Sequence, residues 1–188
     1  MIWMILKQTK TMLIAKQLKN TNIAEYLLYM WHVEDLIRAL NADMELIDQH
    51  VVEGYQAEGS QRKQIYDWYE SLVDMMREEG VLKNGHVQLV KNTLNELEEL
   101  HQVCLQEGQM PAYNAKFYQL LPALQLLKSK SNHPQCGDVE ICFVFLYGVM
   151  QLKRQHKEVG EDTLNTQKEV SKLLSMLSVA YSTQREEE

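Results

Sequence analysis

A chain of 188 residues, 45% hydrophobic and 24% charged, has the size of one globular domain or two small ones and can bury a core without disulfides or metals. Its net charge of −7, with no basic block in the sequence, repels phosphate backbones and disfavours nucleic acid as a partner. Three cysteines, Cys104, Cys136 and Cys142, form no CxxC pair and read as reduced thiols of a cytoplasmic protein.

The apolar start "MIWMIL" ends at Lys7, too short for the core of a secretory signal. The most apolar internal stretch, Ile141 to Met150, falls well below the roughly 20 residues a bilayer span takes, so no membrane association is expected. Met1 to Thr11 carries no cap, no acidic residue and no continuation of the apolar stripe that follows. It is expected to be an N-terminal extension, leaving 12–188 as a single helical domain.

With only three prolines and eight glycines, and no sustained alternation of apolar and polar residues, the chain predicts an all-α fold, a compact bundle of six or seven helices. The first long helix starts at Asn22, with Glu25 three positions on as a capping box, and runs to about Asn41. A second covers Asp43 to about Tyr55. A third follows from a cap at Ser60 to a stop at Gly80, with Ile65, Trp68, Tyr69, Leu72, Val73 and Met76 as its stripe. Asn84-Gly85 marks a turn.

The fourth helix, His86 to Glu107, spaces Val87, Val90, Leu94, Leu97, His101 and Cys104 as a packing seam and stops at Gly108. The fifth opens at Pro111 and should be kinked by Pro122. After the loop "KSKSNHPQCGD", the sixth, "DVEICFVFLYGVMQLKRQ", is apolar on every side through its first half. It is expected to be the central, most buried element, with Gly148 admitting a neighbouring backbone. The last helix begins near Asp162 or Thr163 and buries Val170, Leu173, Leu174, Leu177 and Tyr181. Its serine row, Ser171, Ser175, Ser178 and Ser182, reads as a solvated face beside Lys168 and Lys172, or as a row for close helix approach.

Three constellations could carry chemistry. In "AEYLLYMWHVEDLIRAL", Trp31, His32, Glu34, Asp35 and Arg38 lie on the side of the helix opposite the expected core arc of Ile23, Tyr26, Met30, Val33 and Ile37. Arg38 stands four after Glu34 and three after Asp35, the spacings of surface ion pairs. A solvated ion-pair cluster is the ordinary outcome, and Trp31 among the charges suggests a contact with a second helix or a second copy. The alternative is a buried, paired cluster in a pocket lined by Trp31.

The second constellation is Glu98 and His101, the one Glu-x-x-His unit. A di-metal bundle needs two such units and further carboxylates, so they are weak metal candidates, and no metal or cofactor is expected. The third pairs Cys136 with His133 and Asp138 in a loop, as an activated thiol would need, but no third orienting group or oxyanion hole is identifiable.

The run "LIAKQLKNTNIAEYLLYMWHVEDLIRAL", Leu13 to Leu40, resembles the start of an uncharacterised bacterial family of all-helical proteins known only as a domain of unknown function. The resemblance implies an intracellular helical bundle beginning near Met12 and carries over no activity, cofactor or catalytic residue. The expectation is a protein-interaction or regulatory module without catalysis, binding a protein partner or itself as a homodimer. The competing expectation is a bundle enzyme or metal-binding protein using Glu34, Asp35, Glu98 and His101.

Overall fold

A computed structural model of the chain describes residues 11–106, 110–131 and 135–187. Among these residues there are eight α-helices and no strand, against the six or seven helices expected. The additional one is α1, Thr11–Thr21, which directly precedes α2, Ile23–Ala39. Asn22 serves both. Its backbone N–H bonds Leu18 O at 2.7 Å and closes α1, while its side chain accepts from the Glu25 N–H at 3.2 Å and opens α2. Residues 1–10 of the expected extension lie outside the described residues, and Thr11 is the first residue of α1.

The chain divides into two compact units, one through Asn92 and one from Thr93. In the first, α1 packs against α2 and against α4, Gly59–Glu78. Asp43 caps α3, Met44–Ile47, accepting from the Glu45 and Leu46 N–H groups at 2.9 and 3.3 Å. The segment then loosens into a π turn, Asp48–Val52, and tightens into a 3₁₀ turn, Glu53–Tyr55, so the helix expected to Tyr55 is one span of changing winding. Ser60 lies inside the first turn of α4, with Glu58 in the cap position instead.

Helix α4 ends where expected. Gly80 takes φ +70, its N–H bonds Arg77 O at 3.2 Å, and the Val81 N–H bonds Met76 O at 2.9 Å. That pair of bonds is the Schellman stop, and Val81 just beyond it is buried. Gly85 follows at φ +85, completing the turn that leads to α5, Gln88–Leu105. Helix α2 is buried almost all round, Glu34 included.

The second unit holds the rest of α5 with α6, Pro111–Lys130, α7, Asp138–Arg154, and α8, Glu161–Glu187. Helices α6, α7 and α8 pack pairwise. The α5 seam (Leu94, Leu97, His101, Cys104) and the α8 face (Val170, Leu173, Leu174, Leu177, Tyr181) are buried as their spacing predicts. Tyr181 adds a hydrogen bond from its hydroxyl to Glu96 Oε2, 2.7 Å.

Helix α7 corrects an expectation. It buries Val139, Ile141, Cys142, Phe143, Leu146 and Val149, but Val144 is 43% exposed, Phe145 and Tyr147 are half-buried and Gly148 is exposed. Its apolar circumference is thus not buried all round, and α2 is the more buried helix. The serine row of α8 is likewise not one solvated face: Ser171 and Ser175 are exposed, while Ser178 is buried and donates to Leu174 O at 2.8 Å.

Candidate functional site

In the first unit, Trp31, Glu34 and Arg38 stand at i, i+3 and i+7 on α2, one row along the helix. That row grips the segment between α4 and α5. Arg38 donates through Nε and Nη2 to Val81 O at 3.4 and 3.2 Å and through Nη2 to Gly85 O, and Nη1 pairs with Asp35 at 2.9 Å. Glu34, 0% exposed, accepts the Val87 N–H on Oε1 at 2.8 Å, and its Oε2 lies 2.5 Å from His86 Nδ1. Trp31 stacks on the His86 ring, centroids 4.4 Å apart and planes 17° from parallel.

Glu34 is therefore not part of a solvated cluster, and its bonds go to His86 and Val87. The second neighbour that buries Trp31 is a loop of the same chain. A buried carboxylate demands donors, and here they come from 52 and 53 residues further along. Burial, and then the Glu34 charge, push the nearby Tyr26 hydroxyl above its ordinary pKa. Glu79 Oε2 accepts from the Gln88 N–H at 2.5 Å, so two carboxylates from elsewhere supply the acceptors that the start of α5 lacks at its own cap position, Val87. His32 is half-buried on the same helix.

In the second unit, Glu98 on α5 reaches the first turn of α7. Its Oε1 accepts from the Val139 and Glu140 N–H groups, both at 2.9 Å. Gly137 at the cap position makes room, because a Cβ there would lie 1.8 Å from Glu98 Oε1. Burial pushes the Glu98 carboxyl above its ordinary range, against lowering by the Glu140 N–H, His101 and the Val139 N–H. Glu98 is thus a helix cap borrowed from another helix.

His101, 1% exposed, has Nδ1 2.7 Å from the Tyr113 hydroxyl and packs edge-on to Phe117. Its Nε2 lies 3.9 Å from Asp138 Oδ2, an electrostatic contact too long for a hydrogen bond. Lys128 pairs with the other Asp138 oxygen at 2.9 Å. His101 and Lys128, against partial burial, hold the Asp138 carboxyl down to about 2. Burial drives the Tyr113 hydroxyl and the Cys142 thiol far upward.

Glu98 and His101 thus sit in one polar cluster, but Glu98 faces backbone and His101 faces a phenol. Among the described residues no group of three or more His, Cys, Asp or Glu is arranged to hold a metal ion. His133 lies outside the described residues, so its pairing with Cys136 does too. The Cys136 thiol is half-buried and is pushed up by that burial and then by Glu140, the opposite of activation. His86, Val81, Gly85, Gly137, Tyr113 and Lys128 are the participants that local spacing did not single out. All three cysteines are free thiols, and no helix among the described residues is long and apolar enough to cross a membrane.

Fold and sites together define an all-α protein in which a buried and a half-buried carboxylate, Glu34 and Glu98, fasten its own loop and helix ends. The family model described as Domain of unknown function (DUF4924) matches residues 12–188, and the chain belongs to that family. No curated protein and no solved structure matches it.

Proposed function

We propose that the chain is a cytoplasmic protein-interaction or regulatory module with no catalysis of its own, and that its partner is a protein rather than nucleic acid or membrane. The observation that carries this reading is the apolar surface left uncovered on the second unit: Tyr118 is 60% and Leu126 54% exposed on α6, and Val144 43% on α7. Tyr118, Pro122 and Leu126 recur every fourth residue, so α6 presents an apolar row opposite its buried Tyr113, Phe117, Leu120 and Leu124. Contiguous exposed apolar rows of this kind mark interaction surfaces. The ionisable clusters, meanwhile, have backbone and neighbouring side chains as partners.

The test compares the tagged chain, purified from its own host, with a Tyr118→Lys/Leu126→Lys/Val144→Lys variant of equal melting temperature. A protein companion, a second copy of this chain included, is expected with the parent and lost with the variant. Equal companions for both, or a turnover activity abolished by Glu98→Gln, would overturn the reading.

A further inference from the structure

We infer that residues 82–87 form a gate over one side of α2, which opens as a local unit, is latched by Arg38 and Glu34, and covers Trp31 while closed. This device lies in the first unit and does not depend on the apolar row of the second.

Three observations carry it. First, residues 82–86 make no backbone–backbone hydrogen bond with another described residue, yet the chain is rooted on both sides of them. Before them the Val81 N–H bonds Met76 O at 2.9 Å, and after them the Val90 and Lys91 N–H groups bond Val87 O at 3.0 and 3.1 Å. Gly80 at φ +70 stands at one root and Gly85 at φ +85 within the segment, and glycine backbone changes direction there at little steric cost. Lys83, Asn84 and Gly85 are exposed.

Second, the closure is largely polar and comes from one helix. Arg38 Nη2 donates to Gly85 O, Glu34 Oε2 lies 2.5 Å from His86 Nδ1, and Glu34 Oε1 accepts from the Val87 N–H at 2.8 Å. Such bonds are exchanged for bonds to water as the segment lifts, so each adds only a modest net amount to closure. Val87 is the one fully buried side chain that must leave with it. A segment with few buried apolar contacts and an exposed backbone opens below the free energy of global unfolding.

Third, the segment covers something. The His86 ring lies on the Trp31 ring, centroids 4.4 Å apart, and Trp31 is only 5% exposed. Lifting His86 and Val87 bares a face of that indole together with the Glu34 carboxylate, in the row that Arg38 completes. The open and closed states therefore differ in surface, and whatever engages the bared row shifts the balance toward the open one.

Amide hydrogen exchange of the full chain, followed by NMR, tests the gate. The Val87 N–H is expected to exchange at least about tenfold faster than the buried α2 amides of Leu27 and Met30, with a weaker dependence on urea because less surface is exposed. Ile65→Val, in the core of α4 far along the chain from the segment, should speed Leu27 and Met30 a few-fold and leave Val87 unchanged, because its contacts persist in the open state. Arg38→Ala should speed Val87 about tenfold by removing a latch. Gly85→Ala should speed it several-fold by straining only the closed segment, at a φ that L side chains rarely adopt. In a Trp3→Phe/Trp68→Phe background, which leaves Trp31 as the one tryptophan, acrylamide quenching should rise with Arg38→Ala.

A Val87 N–H that responds to urea and to Ile65→Val as Leu27 and Met30 do overturns the gate, since the segment then opens only with the whole fold. So does a Val87 N–H indifferent to both Arg38→Ala and Gly85→Ala, which would leave nothing latched. Quenching unchanged by Arg38→Ala while Val87 exchange rises overturns the covering of Trp31.

Discussion

Glu34 and Glu98 are the same device built twice with different tolerances. Each is a carboxylate in the middle of a helix that accepts backbone N–H groups at the start of another: Val87 before α5 for Glu34, and Val139 and Glu140 in α7 for Glu98. Glu34 is fully buried and uses both oxygens, one on backbone and one on a histidine clamped by Trp31. Glu98 is half-buried and uses one oxygen for both of its backbone bonds, in a space that Gly137 leaves open. The difference shows that a capping carboxylate can be anchored by partners or by room. The first arrangement fails when the carboxylate is lost, the second when the room is filled.

The largest effect should follow Glu34→Ala. It leaves the Val87 N–H without its acceptor in the interior and takes the partner from His86, whose ring is 30% exposed, and breaking a pair buried on the carboxylate side costs about 3 kcal/mol. Denaturant unfolding of the full chain measures it. A loss below about 1 kcal/mol, the range of exposed pairs, would mean that Glu34 is better solvated than its complete burial indicates.

Gly137→Ala probes the other arrangement. With a Cβ 1.8 Å from Glu98 Oε1, the carboxylate must leave the helix start, at a cost of about 1–3 kcal/mol for the lost cap and strain. Glu98→Ala should cost about 1–2 kcal/mol, since it removes the same cap. Because both changes delete one interaction, the double variant should be little worse than Gly137→Ala alone. Simple additivity of the two losses would show that Gly137 serves something other than Glu98.

What could be read from the sequence follows the range of the forces involved. Helix faces are set by neighbours three and four residues away, so the α5 seam and the α8 face were legible, as was the Gly80 stop. Glu34 was noticed as well, but the spacing rule offered it Arg38, four residues on, whereas its partners lie 52 and 53 residues on. Glu98 was noticed through His101, a pattern that suggests metal, whereas its donors stand 41 and 42 residues on at a helix start. Local pattern located the buried carboxylates and could not supply their partners. Helix α1 was missed because the Asn22 cap reads as a beginning, and α7 was overrated because an apolar circumference does not say which side another helix will cover.

A third test uses acid. Asp138 is held down to about 2, below its unfolded value, by His101 and Lys128 against partial burial. A depressed carboxylate contributes stability that is complete above the unfolded pKa and is lost as pH falls through the folded one, so the window runs from about pH 4 to about pH 2. Asp138→Asn should be less stable than the parent by about 1–2 kcal/mol at pH 7, allowing for the carboxylate's partial exposure. The gap should close across that window in urea midpoints taken from pH 7 downward. A gap that stays constant with pH would assign the loss to packing rather than to charge.

The smallest effect should be Glu98→Gln, and it divides the two devices most sharply. Both backbone bonds fall on one oxygen, which a glutamine amide keeps, and its –NH₂ takes the place of the oxygen that receives neither. The swap also removes a charge that burial disfavours. The folded carboxyl titrates above its unfolded value, so ionisation costs stability as pH rises through the gap between them, a loss the amide escapes. Glu98→Gln should therefore lie within about 0.5 kcal/mol of the parent at pH 7, as substitutions that keep their hydrogen bonds do, and should compare better with it at pH 7 than at pH 4. Glu34→Gln should cost about 1–2 kcal/mol, because its –NH₂ must face His86 Nδ1 and force that nitrogen to accept. Equal losses at the two positions would mean that anchoring by partners and anchoring by room are not distinct after all.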